Sequence, residues 1–416
     1  MPQFLKVKTA EEVLSMLEGI PPLPAETVSL EDACGRVLAV DFQASEPLPS
    51  FARATMDGYA VRSSDTFGAS ESMPALLETS GEIKMGEAPS IVLTPGKAVS
   101  IPTGGMLPEG ADAVVMMEYT SELDERTIEV SRPAAPGDNV LRTGDDIASG
   151  QTILRKGWQL RPQDIGMLAA LGITEISAFR RPKVAVISTG DEIVPVGTRC
   201  VPPGKVRDIN TFSLAAQIES AGAEVDTRET VFDNLDDLVL VCRKALTRSD
   251  MIVLSGGSSV GMRDFTLQVL DGLPDSRLLV HGVAIRPGKP VILGRVGEKL
   301  FWGLPGQPVS ALITCQTFVV PSLKRLQGCT GEGIAAAAFN RFRVFLNRSL
   351  PSVHGRTDYV PVVVSEGKDG RLEAAPIFGK SGALSILTRA DGYVVVPAHV
   401  EGFDQGTELD FFPFSP

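Results

Sequence analysis

The stretch Lys183-Val184-Ala185-Val186-Ile187-Ser188-Thr189-Gly190-Asp191-Glu192 sets four consecutive apolar residues against a polar end that contains glycine. A run this short and this rich in β-branched residues, stopped by Gly, reads as a strand buried on both faces. Met251 to Ser255, Val291 to Gly294 and Phe301 to Leu304 repeat the pattern, and Ala223 to Val231 and Leu278 to Ile285 add further extended segments. Between them lie helical stretches: Ile209 to Ala221, Leu235 to Leu246, a helix after Asp264, and a long apolar helix from Val309 to Leu326. This rhythm predicts a doubly wound, mainly parallel α/β domain over residues 181–328.

In an open α/β sheet, ligands bind in the crevice beyond the carboxyl ends of the strands. Four such ends carry unusual chemistry: Ser188 to Glu192, then Ser255-Gly256-Gly257-Ser258-Ser259-Val260-Gly261, then Arg286-Pro287-Gly288-Lys289-Pro290, then Leu304-Pro305-Gly306-Gln307-Pro308. Each alone reads equally well as a tight turn, but four at successive strand ends point to one anion pocket. Glycines let backbone N–H groups approach an anion, and a helix starting after Gly261 would aim its positive end there. Neither common nucleotide fingerprint is present, since the strings match neither G-x-x-x-x-G-K-[ST] nor G-x-G-x-x-G. Arg286 and Lys289 add cations that suit a multiply charged oxyanion, the alternative being two solvated surface charges. Glu192, Asp233 and Asp264 follow different strands, and their convergence would build a site for a hard divalent cation of the Mg²⁺ kind.

Outward from this domain the texture changes. Thr9 with Glu12 three residues on forms a capping-box pattern ahead of a helix to Leu17. Short β-like runs separated by Gly and Pro fill Ser45 to Arg142, for example Ala98 to Ile101 and Ala113 to Met117, and predict a separate β-rich module. Its loops Thr55-Met56-Asp57-Gly58-Tyr59-Ala60-Val61, Ile101-Pro102-Thr103-Gly104-Gly105 and Arg142-Thr143-Gly144-Asp145-Asp146-Ile147 read, on residue types alone, as β-turns. After Gly328 an Ala-rich linker leads to the alternating runs Arg343 to Leu346 and Tyr393 to Val396, a small C-terminal β domain.

Composition narrows the function classes. A chain of 416 residues predicts about two to four domains. Its net charge of −12 argues against work on nucleic acid or anionic lipid. No run approaches the roughly 20 apolar residues that span a bilayer, and the first residues lack a signal peptide's order, so a cytoplasmic protein is expected. Five scattered cysteines without a paired spacing predict reduced, mostly buried thiols, and three distant histidines leave carboxylates as the metal ligands.

The strings Met56-Asp57-Gly58-Tyr59-Ala60, Pro102-Thr103-Gly104, Gly144-Asp145-Asp146-Ile147, Ser188 to Glu192, Ser255 to Gly261, Pro287-Gly288-Lys289-Pro290 and Gly303-Leu304-Pro305-Gly306 resemble, in order and spacing, the MoeA/gephyrin E-domain family over essentially the whole chain. The resemblance implies four domains: an extended linker from 1–44 with 147–180, an inserted β module at 45–146, the α/β molybdopterin-binding domain at 181–328 and a β-barrel-like domain at 329–416. It implies a homodimer with the cleft between subunits, and Mg²⁺-dependent insertion of molybdenum from molybdate into adenylated molybdopterin with release of AMP. Partners implied are a molybdopterin adenylyltransferase and the molybdoenzymes that accept the cofactor.

Carried over by position, Asp57, Thr103 and Asp146 would face Glu192, Asp233 and Asp264 of the other subunit, the last three as metal ligands and all six as catalytic residues. Gly256, Gly257, Ser258, Ser259, Gly261, Pro305 and Gly306 would hold the pterin substrate, and Arg286, Lys289, Arg356, Ser381 and Ser385 the molybdate. Three positions depart from the family pattern: Arg286 stands where Lys is common, Gln307 where Asn is usual and Ser258 where Val is usual. The related adenylyltransferase shares the α/β domain but not the flanking β modules. A gephyrin-like scaffold, the other alternative, needs no carboxylate cluster.

Overall fold

The computed structural model describes residues 7–256, 262–330, 341–380 and 382–414, and of residues 262–264 the backbone alone. The chain forms two compact units, one of Met1–Val40, Lys156–Ile165 and Thr174–Pro416, the other of Asp41–Arg155 and Gly166–Ile173.

The first unit is organised by a six-stranded sheet in the order Glu224–Val231, Lys183–Thr189, Met251–Gly256, Lys299–Pro305, Ile292–Val296, Ser276–His281. Only Ile292–Val296 opposes the other five, so the sheet is mainly parallel, as the strand-helix rhythm predicts. Alternate residues of Lys183–Thr189 serve opposite faces. Val184 and Val186 pack with Leu214 and Ile218 of the helix Asn210–Ser220 and with Phe318, whereas Ala185 and Ile187 pack with Leu238 and Cys242 of the helix Leu235–Leu246 and with Leu270. Burial on both faces explains why the strand has no polar alternation.

Three elements differ from the sequence reading. The expected Val309–Leu326 helix is an α-helix Pro308–Thr314, a π-turn Cys315–Val319 and an α-helix Val320–Leu326. Pro321 has no N–H to return to Thr317, and its ring would strike that carbonyl in α geometry. The turn widens instead: Val320 donates to the Cys315 carbonyl, while the Thr314, Thr317 and Ser322 hydroxyls donate to carbonyls four residues back. The expected strand Leu278–Ile285 stops at His281, because Gly282 turns the chain at φ 86°. Its continuation, Ile285–Arg286, pairs elsewhere. The helix expected after Asp264 starts earlier, at Met262.

The C-terminal region is a closed five-stranded barrel. Thr357–Glu366, Leu372–Pro376, Phe342–Leu346, Glu408–Pro413 and Gly392–Val396 pair in sequence, and the last returns to the first. Val344, Val362, Ala374, Val394 and Phe411 fill it. Ile285–Arg286 adds to Thr357–Asp358 in parallel, which sews the α/β domain to the barrel. At the N-terminus the capping box forms, Glu12 N–H donating to Thr9 Oγ1 at 3.2 Å and Thr9 N–H to Glu12 Oε2 at 2.7 Å. Behind it Ala10, Val13 and Leu17 enter the α/β core.

The second unit carries another six-stranded sheet, ordered Ala113–Met116, Gly58–Val61, Lys97–Ile101, Ala75–Glu82, Thr127–Val130, Thr120–Asp124. Tyr59 and Val115 pack on one face, Ala60 and Val114 on the other. Among the described residues no helix is long and apolar enough to cross a membrane.

Candidate active site

In the first unit a cavity of about 1470 Å³ opens at the carboxyl ends of the two neighbouring parallel strands Met251–Gly256 and Lys299–Pro305. Gly256, Pro305 and Gly306 line it from the sheet, Arg286 and Lys289 from the adjoining turn, and Arg356 from the barrel. These six sequence-predicted residues are therefore brought together.

The turn owes its shape to Gly288, which sits at φ +106° with room for a Cβ denied by Thr314, whose Cγ2 would lie 2.1 Å away. Pro287 and Pro290 stiffen it on either side. Backbone pairing then fixes it to the barrel, Thr357 N–H donating to the Ala284 carbonyl at 2.9 Å. Arg286, Lys289, Arg356 and Lys380 all face the cavity, in a chain whose net charge is −12. The carboxylate between them is Asp358, only 3% exposed. It accepts Arg356 Nε at 2.8 Å and Nη2 at 3.3 Å, with Arg286 Nη1 at 3.9 Å. A wall with several cations and one guanidinium anchored by a carboxylate suits a tetrahedral oxyanion, whose oxygens only accept.

A buried polar network ties the strand ends together, and sequence reasoning missed it. Asn210 Nδ2 donates to Ser255 Oγ and to the Gly306 carbonyl, both at 2.8 Å. Thr211 Oγ1 donates to Ser188 Oγ at 2.8 Å, and Asp208 accepts from Thr211 N–H and Thr230 Oγ1. Polar residues at a helix start pass for caps, yet the N-cap here is Ile209, without a side-chain cap bond. Asn210→Asp should therefore destabilise the protein by roughly 1–3 kcal/mol for each acceptor left facing a carboxylate. Asn210→Ala should cost less, and urea denaturation of both variants checks the order.

Among the described residues, three of the four strand ends expected to share one pocket line the larger cavity, and the one after Lys183–Thr189 does not. Gly190 lines a second, smaller cavity of about 410 Å³ with Asp208, Thr230 and Phe232. Lys183–Thr189 lies between Glu224–Val231, whose last residues line this smaller cavity, and Met251–Gly256, whose Gly256 lines the larger one. Glu192 is exposed and folds back over Gly190, on which a Cβ would sit 2.7 Å from Glu192 Oε2. Asp233 is half-buried, accepting from Thr189 Oγ1 at 2.7 Å while its N–H donates to Asp191 Oδ1 at 3.2 Å. Gly257, Ser258, Ser259, Gly261, Ser381 and the side chain of Asp264 lie outside the described residues. Among the described residues no group of three His, Cys, Asp or Glu is gathered for a metal. Ser385 is exposed at the start of the short helix Ser385–Arg389, and among the described residues of 379–386 Gly379, Lys380 and Ile386 line the larger cavity.

In the second unit Asp57 and Thr103 meet. Asp57 Oδ1 accepts from Thr103 N–H at 2.6 Å and from Thr103 Oγ1 at 2.9 Å. The backbone bond first and the hydroxyl second stabilise the ionised form, which holds the carboxyl below the usual carboxylate range. Asp146 is exposed, its N–H donating to the Leu48 carbonyl. All five thiols are free. Burial pushes Cys242 up to about 12 and raises Cys315 and Cys329, so these stay protonated, whereas Cys34 and Cys200 are exposed.

Comparisons with known proteins agree along the chain. Residues 6–172 match the family model described as MoeA N-terminal region (domain I and II), 185–325 the "probable molybdopterin binding domain", and 343–414 the MoeA C-terminal region (domain IV). The chain is 33% identical to a molybdopterin molybdenumtransferase of Haemophilus influenzae over 402 residues, 96% of each chain. It is 34% identical to a putative molybdopterin biosynthesis protein of Methanocaldococcus jannaschii over 392 residues, covering 92% of this chain and 91% of that one. Its fold is similar to the crystal structure of a MoeA protein from Pyrococcus horikoshii, with a TM-score of 0.78 and 38% identity over 99% of this chain and 100% of that one.

Proposed function

Because this chain belongs to the MoeA family, we propose that it is a molybdopterin molybdenumtransferase, which inserts molybdenum from molybdate into adenylated molybdopterin and releases AMP. The observation that carries the reading is the cavity at the carboxyl ends of Met251–Gly256 and Lys299–Pro305, where Arg286, Lys289, Arg356 and Lys380 surround one space. Molybdate is a tetrahedral dianion with acceptor oxygens only, and Arg286, Arg356 and the two lysines supply donors and opposite charge. Gly256 and Gly306, at the strand ends, leave the backbone open to the pterin phosphate beside it.

Glu192, Asp233 and Asp264 would hold the divalent cation, and their hard oxygen donors fit Mg²⁺. When bound, that cation neutralises charge at the phosphoanhydride. Thr189 supports the fit by fixing the orientation of Asp233. Asp57, held ionised by Thr103, would orient the attacking water as acceptor of its proton. We further propose a homodimer in which Asp57, Thr103 and Asp146 serve the cleft of the partner subunit, in a soluble, cytoplasmic setting.

Purified protein mixed with adenylated molybdopterin, molybdate and Mg²⁺ should release AMP, with the release dependent on molybdate. No AMP above the protein-free rate would sink the enzyme reading.

A further inference from the structure

Among the described residues Asp358 is the one carboxylate in the cationic wall, and its placement differs from that of the cations around it. Its side chain is 4% exposed, against 62% for Arg286 and 32% for Arg356. The backbone holds it on two sides: Asp358 pairs with Arg286 across the added strand and with Val396 across the barrel. The carboxylate is thus the fixed element, and the longer guanidinium arms are the adjustable ones. Arg356 spends Nε–H and one Nη2–H on Asp358, at 2.8 and 3.3 Å. Because the guanidinium is planar with five N–H donors, anchoring one edge fixes the direction of the remaining three.

From this geometry, and resting on the reading of the cavity as a molybdate site, we propose that Asp358 is a positioning residue. It orients the Arg356 guanidinium, and through it the oxyanion, without touching the anion itself. A buried carboxylate near a dianion is by charge alone unfavourable for binding. Its presence there is therefore informative, because orientation and repulsion have opposite signs in a simple experiment. Removing the charge strengthens anion binding if Asp358 acts only as a neighbouring negative charge, and weakens it if Asp358 acts by holding Arg356.

The experiment is calorimetric titration of the full-length protein with sodium molybdate alone, at constant ionic strength, together with steady-state AMP release. Asp358→Asn should raise the molybdate Kd about tenfold or more, and raise KM for molybdate with kcat kept within about twofold, as expected for lost ground-state and transition-state binding alike. On an Arg356→Ala background the same substitution should change Kd less than about twofold, since residues acting through one contact are not additive. Tighter or unchanged binding in Asp358→Asn, or full additivity with Arg356→Ala, overturns the proposal. Should Asp358→Asn fail to fold, Arg356→Lys keeps the charge but cannot form the two-bond fork; about tenfold weaker binding is expected, and unchanged binding overturns the idea. Wild-type protein that binds no molybdate at all overturns the anion reading of the cavity, and this proposal with it.

Discussion

Asp57→Ala is expected to lower AMP release by about 10²-fold or more, the scale seen when a positioned proton acceptor is removed, while the second unit stays folded. Asp57 is exposed and its carboxylate engages the Thr103 N–H and hydroxyl, so its loss removes no core packing. Exposed substitutions outside special backbone positions change stability little. Chromatographic assay of AMP, with circular dichroism on the same sample, separates the two effects; a folded variant with normal turnover would remove Asp57 from the site. Thr103→Val provides a graded companion. It takes away the hydroxyl bond to the ionised carboxyl and so raises the pKa of Asp57 towards the ordinary range. If Asp57 must be ionised, the acid limb of the rate profile in Thr103→Val should move to higher pH than in the parent protein. An unmoved limb would assign that limb to another group.

The strand run at Lys183–Thr189 was legible because burial on both faces leaves a continuous apolar signature that no surface strand shares. The capping box at Thr9 was equally legible, being wholly local. What the sequence hid was set by distant contacts. Nothing in Val309–Leu326 except Pro321 hints at a π-turn, and a proline there equally allows a kink or a helix end. The division of the strand ends between two cavities depends on strand order, which periodicity does not encode. Asn210 and Asp208 were passed over because short polar side chains ahead of a helix have a common structural role, and only their partners 45 and 22 residues away reveal another. Asp358 was hidden for a similar reason: in Arg356-Thr357-Asp358-Tyr359 it reads as one more polar position of a strand. The cations it faces come together only when Ile285–Arg286 joins the barrel.

Gly288→Ala should damage both stability and molybdate use, since two independent constraints meet at that residue. Its φ of +106° lies in the region L residues rarely adopt, which costs on the order of 1–3 kcal/mol. The new methyl would also lie 2.1 Å from Thr314 Cγ2, on a helix residue that is itself fully buried, and overpacking of this kind costs about 1–3 kcal/mol more. Together these predict a loss of roughly 2–6 kcal/mol by urea denaturation. Because Gly288 stands between Arg286 and Lys289, any relief of the clash must shift the turn that aims both cations, so KM for molybdate should rise in whatever protein still folds. Thr314→Ser removes the opposing methyl while keeping the hydroxyl that donates to Ser310. In Gly288→Ala with Thr314→Ser the packing share should return and the backbone share should not, a recovery of about half. Full recovery would show that φ at Gly288 carries no strain, and no recovery would show that the Thr314 contact is not what holds this turn in place.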